Sequence, residues 1–196
     1  GFHDAANAIA TSVGTRALAP ATALALAAVF NFVGAFIGYW TGSGVAKTIQ
    51  SVTTPPTGYA GLALIAAALG GAIGWNLVTW RLGLPSSSTH ALIGGVVGAA
   101  LVAGTVVEWS TVWGKVIIPM VTSPFVGLIL AFLVMRLIVT IFRNRNPQKV
   151  GGGFRHAQSV SAAAMAMGHG MQDAQKTMGV IFLLRVSMGY ASASQE

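Results

Sequence analysis

Residues 82–98 read Leu-Gly-Leu-Pro-Ser-Ser-Ser-Thr-His-Ala-Leu-Ile-Gly-Gly-Val-Val-Gly, and the rest of the chain is organised around them. Pro85 has no amide hydrogen and pushes Leu84 towards extended backbone, so any preceding helix stops here. Four hydroxyls follow (Ser86, Ser87, Ser88 and Thr89), then His90 and an apolar, Gly-rich helix. Ser and Thr are strong N-caps, and a helix start leaves amide hydrogens without partners. The helix dipole adds about half a positive charge there, so an oxyanion is accepted without any Lys or Arg. In water this would be an ordinary capped helix. In a bilayer the same hydroxyls are costly unless they line a cavity or hold a ligand.

Composition identifies the solvent. The chain is 54% hydrophobic and only 8% charged, with a mean hydropathy of +0.71. A water-soluble domain carries about a quarter charged residues, so this chain cannot cover a wet surface and is an integral membrane protein. The formal charge of +7 does not indicate nucleic acid. Four of the eleven basic residues, Arg143, Arg145, Lys149 and Arg155, crowd into one segment, as in a cytoplasmic loop. With no cysteine, disulfides are excluded. The chain opens at Gly1 without Met or a signal-peptide pattern, which predicts a fragment of a longer protein.

Every segment suggests helix and none a strand. Residues 1–16 carry a polar stripe of His3, Asp4, Asn7 and Thr11 at three- and four-residue steps, on a helix too short to span alone. Residues 20–40 form a span with Asn31 in the middle and Gly34/Gly38 as a small-residue contact. A polar loop, residues 41–58, leads to a second span over 59–80 with a Gly70/Gly74 pair. The hydroxyl stretch and its helix run to about Val107, with a further Gly94/Gly98 pair. A long span covers 115–142, a flexible basic loop 144–154, and a last helix runs from about His156 to Gly189.

Positive residues favour the cytoplasm. Arg16, Arg81 and the Arg143–Arg155 cluster all fall inside if residues 86–107 cross fully. The first polar helix then runs outside to inside, and the last runs inside to outside. The two resemble each other: Gly1-Phe2-His3-Asp4-Ala5 against Gly170-Met171-Gln172-Asp173-Ala174, with twelve residues from Asp4 to Arg16 and from Asp173 to Arg185. His169, Gln172, Asp173 and Lys176 form the matching stripe. Related segments of opposite sense mark an inverted-repeat secondary transporter with broken helices, whose site lies at the midplane. Three parts are expected: residues 1–142 as a first repeat incomplete at its N-terminus, 143–155 as a basic cytoplasmic loop, and 156–196 as the start of the inverted second repeat.

The stretches 1–8 (GFHDAANA), 84–90 (LPSSSTH) and 168–176 (GHGMQDAQK) resemble the signatures of the inorganic phosphate transporter family, in order along the whole chain, and most closely its bacterial low-affinity members. That resemblance implies phosphate held between hydroxyl-rich broken helices, with Asp-containing motifs taking part in cation coupling. By position, Ser86, Ser87, Ser88 and Thr89 would contact phosphate. His3, Asp4, Asn7, Gln172 and Asp173 would serve cation coupling or the site wall, with Asp4 and Asp173 as the metal candidates. No cofactor is implied beyond the coupling cation, H+ or Na+, and a co-transported divalent metal such as Mg2+. The implied partners are inorganic phosphate, the lipid bilayer and, for the complete protein, a second copy as a homodimer; no nucleic acid is implied. The implied location is the inner (plasma) membrane.

The chain departs from the family pattern where His3 and Gln172 replace the commoner Asn before Asp, and where Gln175-Lys176 stands against Ala6-Asn7. His titrates near neutral pH, so His3 favours protons. The second repeat's own hydroxyl motif is absent, so this chain alone is not expected to transport. The blander roles are a redundant N-cap for Ser86–Thr89 and buried structural carboxylates for the aspartates. An intramembrane carboxylate costs roughly 2.5–3.5 kcal/mol even on the lenient insertion scale, which favours function. The alternative is a divalent-cation carrier using His3, Asp4, His169 and Asp173, which leaves the hydroxyls without a role. A membrane enzyme pairing a Ser with His90 lacks a neighbouring carboxylate to orient the imidazole.

Overall fold

The structure is a computed structural model that describes residues 2–41 and 44–190; the side chains of residues 2–7 and 147 lie outside the description. Among the described residues there are helices and one isolated bridge, Thr53 to Val107, and no strand. The helices are α1 (Phe2–Gly14), α2 (Pro20–Thr41), α3 (Gly44–Gln50), α4 (Tyr59–Arg81) and α5 (Ser88–Val102). The short α6 (Trp109–Thr111), a π-helical turn (Val112–Ile117) and α7 (Ile118–Phe142) form one rod, and α8 (Pro147–Ser187) closes the order. Three stretches are long and apolar enough to cross a membrane: Pro20–Thr41, Tyr59–Arg81 and Trp109–Phe142.

Helix directions follow from the contacts. Ala8 clusters with Ala166, while Thr11 and Thr15, further along α1, bond Gln158, earlier in α8. α1 and α8 are therefore antiparallel. Gly34 packs on the Met167 carbonyl and Gly38 on Met171, so α2 runs parallel to α8. A Cβ at Gly34 or at Gly170, which sits against the Asn31 carbonyl, would strike backbone, so only Gly permits this approach. The Gly58 amide donates to the Ser187 carbonyl at 2.7 Å, so α4 starts where α8 ends and runs against it. Arg16, Arg81 and Arg143 thus all lie towards the end of the bundle where α8 begins, the arrangement that the charge count requires.

The break before α5 is built by the sequence around Pro85. Gly83, at φ 65°, takes the left-handed conformation that ends α4, and the Leu84 amide bonds back to the Thr79 carbonyl at 2.9 Å. Residues 84–87 lie outside any helix, and Ser87, in extended backbone, caps α5 by accepting from the His90 amide at 3.4 Å. The 15 residues of α5 are about 22 Å long, short of a hydrocarbon layer of about 30 Å. The tip of the helix meets α8 through Ser88. The far end is fastened instead: Thr53 Oγ1 donates to the Val106 carbonyl at 2.7 Å, and the Glu108 amide to the Val52 carbonyl at 2.9 Å.

Three expectations are corrected. The basic stretch is loop only to Asn146, whose side chain accepts from the Gln148 amide, and Pro147 opens the helix, so residues 147–155 with their three glycines are helical. Asn as cap and Pro at the first position outweigh the cost of glycine, about 1 kcal/mol each in a helix interior. At 41 residues α8 is about 60 Å long, longer than a bilayer with its headgroups is thick. The Gly70/Gly74 and Gly94/Gly98 pairs make no close contact, because α4 and α5 meet instead through Gly95 on the Ala68 carbonyl. Within the loop expected over 41–58, residues 44–50 are helical, and the Gln175 side chain accepts from the Val45 amide at 3.1 Å.

Two apolar clusters flank the middle of the bundle. One joins Ile49, Leu64, Ile93, Val96, Val112 and Leu183 across α3, α4, α5, the π turn and α8. The other joins Ala8, Ile9, Ala23, Ala27 and Ala166 across α1, α2 and α8. The polar site lies between them.

Candidate anion site at the tip of α5

The tip of α5 opens into a cavity of about 640 Å³. Its wall joins Ser86, Ser87, Ser88 and Thr89 to Ser161, His169, Gln172 and Lys176 of α8 and to Ala8 of α1. The four predicted hydroxyl residues therefore converge on one space. Ser86 Oγ is buried and has no hydrogen-bond partner among the described residues. The first turn of α5 directs its amide end and positive dipole end at the same place.

Lys176 ties the tip to α8. Its Nζ donates to Ser88 Oγ at 2.7 Å and lies 2.6 Å from Asp173 Oδ1. Asp173 Oδ2 is 3.3 Å from His169 Nε2. The helical steps place these groups: Asp173 and Lys176 are three apart, His169 and Asp173 four, all on the α8 face that meets α5. The Ser/Thr tip and Asp173 are thus separated by a single ammonium group. Gln172 is exposed on the cavity wall.

His3, Asp4 and Asn7 sit on α1, where the backbone is helical, but their side chains lie outside the described residues. Ala8, the residue after Asn7, does line the cavity. Among the described residues no three His, Asp or Glu side chains gather as a metal-binding group. His90 is exposed, on the apolar groove between α4 and α5, and no carboxylate is paired with it. The sequence places His169 and Lys176 on the stripe with Asp173, and His169 among the ligands of the alternative cation carrier; Ser161 carries no signal in the sequence.

Three long apolar helices in an all-helical bundle define a multi-pass membrane protein, and the α5 tip, its hydroxyls and a lysine share one cavity inside it. The model of the phosphate transporter family matches residues 1–195. The chain belongs to that family, a family of transporters rather than enzymes, and three of its helices are long and apolar enough to cross a membrane. A probable low-affinity inorganic phosphate transporter of Streptomyces halstedii is 54% identical over 88% of this chain and 79% of its own length. A protein of the same description from Bacillus subtilis (strain 168) is 43% identical over 100% of this chain and 58% of its own. The low-affinity inorganic phosphate transporter PitB of Escherichia coli (strain K12) is 36% identical over 97% of this chain and 44% of its own. The chain thus spans about half the length of the last two. No solved structure matches it.

Proposed function

We propose that the complete protein carries inorganic phosphate across the membrane by secondary transport, driven by a proton or sodium gradient, with phosphate moving as a complex with a divalent metal. The observation that carries this reading is the α5 tip. Ser86–Thr89 share one cavity with Lys176, which donates to Ser88 at 2.7 Å, inside a bundle whose two related acidic helices run in opposite senses. Helix amides, hydroxyls and an ammonium supply donors on several sides of a tetrahedral anion. The antiparallel α1 and α8 support residues 1–142 and 156–196 as parts of inverted repeats, joined by the basic, cytoplasmic segment 143–155. Asp4, with His3 and Asn7 beside it, would couple the cation on the α1 side. Gln172 and Asp173 would shape the α8 side.

Labelled-phosphate uptake by vesicles holding the complete protein tests this, with and without magnesium and across imposed pH and sodium gradients. Ser88→Ala and Thr89→Ala are each expected to reduce uptake at least about tenfold, the loss of one hydrogen bond to a charged group. Uptake untouched by both would remove the tip from the site. Manganese or zinc uptake with no need for phosphate would favour a divalent-cation carrier instead. Asp4→Asn is expected to abolish gradient-driven uptake while phosphate binding persists.

A further inference from the structure

The carboxylate expected to bind a coupling ion on α8 already holds a cation of the protein's own. Lys176 Nζ sits 2.6 Å from Asp173 Oδ1 and 2.7 Å from Ser88 Oγ, and the lysine side chain is only 14% exposed. His169 Nε2 faces the other carboxylate oxygen. One oxygen of Asp173 thus lies against the ammonium as an ion pair and the other faces an imidazole nitrogen. The cavity wall holds Lys176, His169 and Gln172, while Asp173 stands behind them.

The sequence makes the same distinction between the repeats. Aligning Asp4 with Asp173 sets Asn7 against Lys176. An Asn carbonyl is a neutral oxygen ligand for a hard cation, whereas an ammonium only donates. A metal ion cannot sit on Asp173 while Nζ occupies it, because two like charges a few ångströms apart in a medium poorer than water repel strongly. The asymmetry is one of charge: the α1 motif leaves a place for a mobile cation, and the α8 motif fills its own.

We propose that Lys176 is a tethered countercharge. It takes the place of a transported cation on the α8 side, binds the anion directly, and makes Asp173 its positioning residue rather than a ligand of the coupling ion. This rests on the transport reading. The coupling ion then acts through α1 alone, and the α8 half of the site binds phosphate without an added monovalent cation.

The test measures phosphate uptake by the complete protein in vesicles, as KM and maximal rate, over a range of sodium concentrations including none. Lys176→Asn, which copies the α1 pattern, is expected to raise KM for phosphate at least about tenfold without sodium, with added sodium restoring it. Lys176→Arg keeps the charge and is expected to keep the wild-type sodium response. The double variant Asp173→Asn/Lys176→Met has no carboxylate for an ion, so it should lose affinity that sodium does not restore. Sodium restoring the double variant, or Lys176→Asn matching the wild type in KM and sodium response, would overturn the proposal. If Lys176→Asn does not fold, the arginine and double variants decide the matter. Wild-type vesicles that take up no phosphate would instead defeat the transport reading on which the proposal depends.

Discussion

Against the described residues of this chain, α7, part of the most apolar rod, buries none of its own, whereas the far more polar α8 contacts α1, α2, α3 and α4. In water the order would be reversed. In lipid, hydrophobicity gives no reason to hide, because acyl chains are as apolar as Leu. Burial goes to the helix that offers small residues for close approach and polar groups for bonding. α8 supplies Gly170 against Asn31, Gln158 against Thr11 and Thr15, Gln175 against Val45 and Lys176 against Ser88.

The largest effect is expected where α2 and α8 touch through backbone. Gly34→Val puts a side chain into the Met167 carbonyl and separates the two helices. A loss of about 3 kcal/mol or more is expected, seen as low yield of folded protein and a lowered unfolding midpoint in detergent. An unchanged midpoint would mean that α8 is not packed as described.

Gln158→Leu keeps bulk and hydrophobicity but removes the bonds at 2.9 and 3.1 Å that join α8 to α1. About 0.6–1.7 kcal/mol should be lost, the range for polar contacts between membrane helices. A gain in stability would show that apolar surface outweighs polar bonding on α8 after all. The smallest change belongs to α7: Leu130 is 56% exposed, and Leu130→Ala should shift stability by less than about 0.5 kcal/mol. A loss above about 2 kcal/mol, the size of a core truncation, would show that protein and not lipid covers that face.

How far the sequence foretold this arrangement depended on the kind of signal. The α5 start was legible because Pro85 and the hydroxyls act through local backbone chemistry, and Ser87 is indeed its cap. Spans over 20–40 and 59–80 were legible because length and apolarity alone define them. The start of α8 was not, since Gly151–Gly153 suggested a break and outweighed the stronger local cue of Asn146-Pro147. The end of α5 was placed about five residues late, although Gly104, at φ 67°, marks it. The opposite senses of α1 and α8, deduced from the basic residues, are seen in their contacts, because relative topology follows charge and needs no packing detail. What could not be foretold was which face each glycine pair presents. Gly34 and Gly38 meet α8, whereas Gly70 and Gly74 meet nothing, and the spacing is the same in both.

Thr53 is 2% exposed, and its bond to Val106 moors α5 at the end away from the hydroxyls. At the other end, Lys176 of α8 donates to Ser88 Oγ. Between these ends Gly95 rests on the Ala68 carbonyl and Ile93 and Val96 pack into the core, so α5 is braced along its length by α4. Whatever displaces the ammonium from Ser88 therefore removes a tie between α5 and α8 and leaves the α4 contact in place, so filling the cavity and loosening one of its walls are one event.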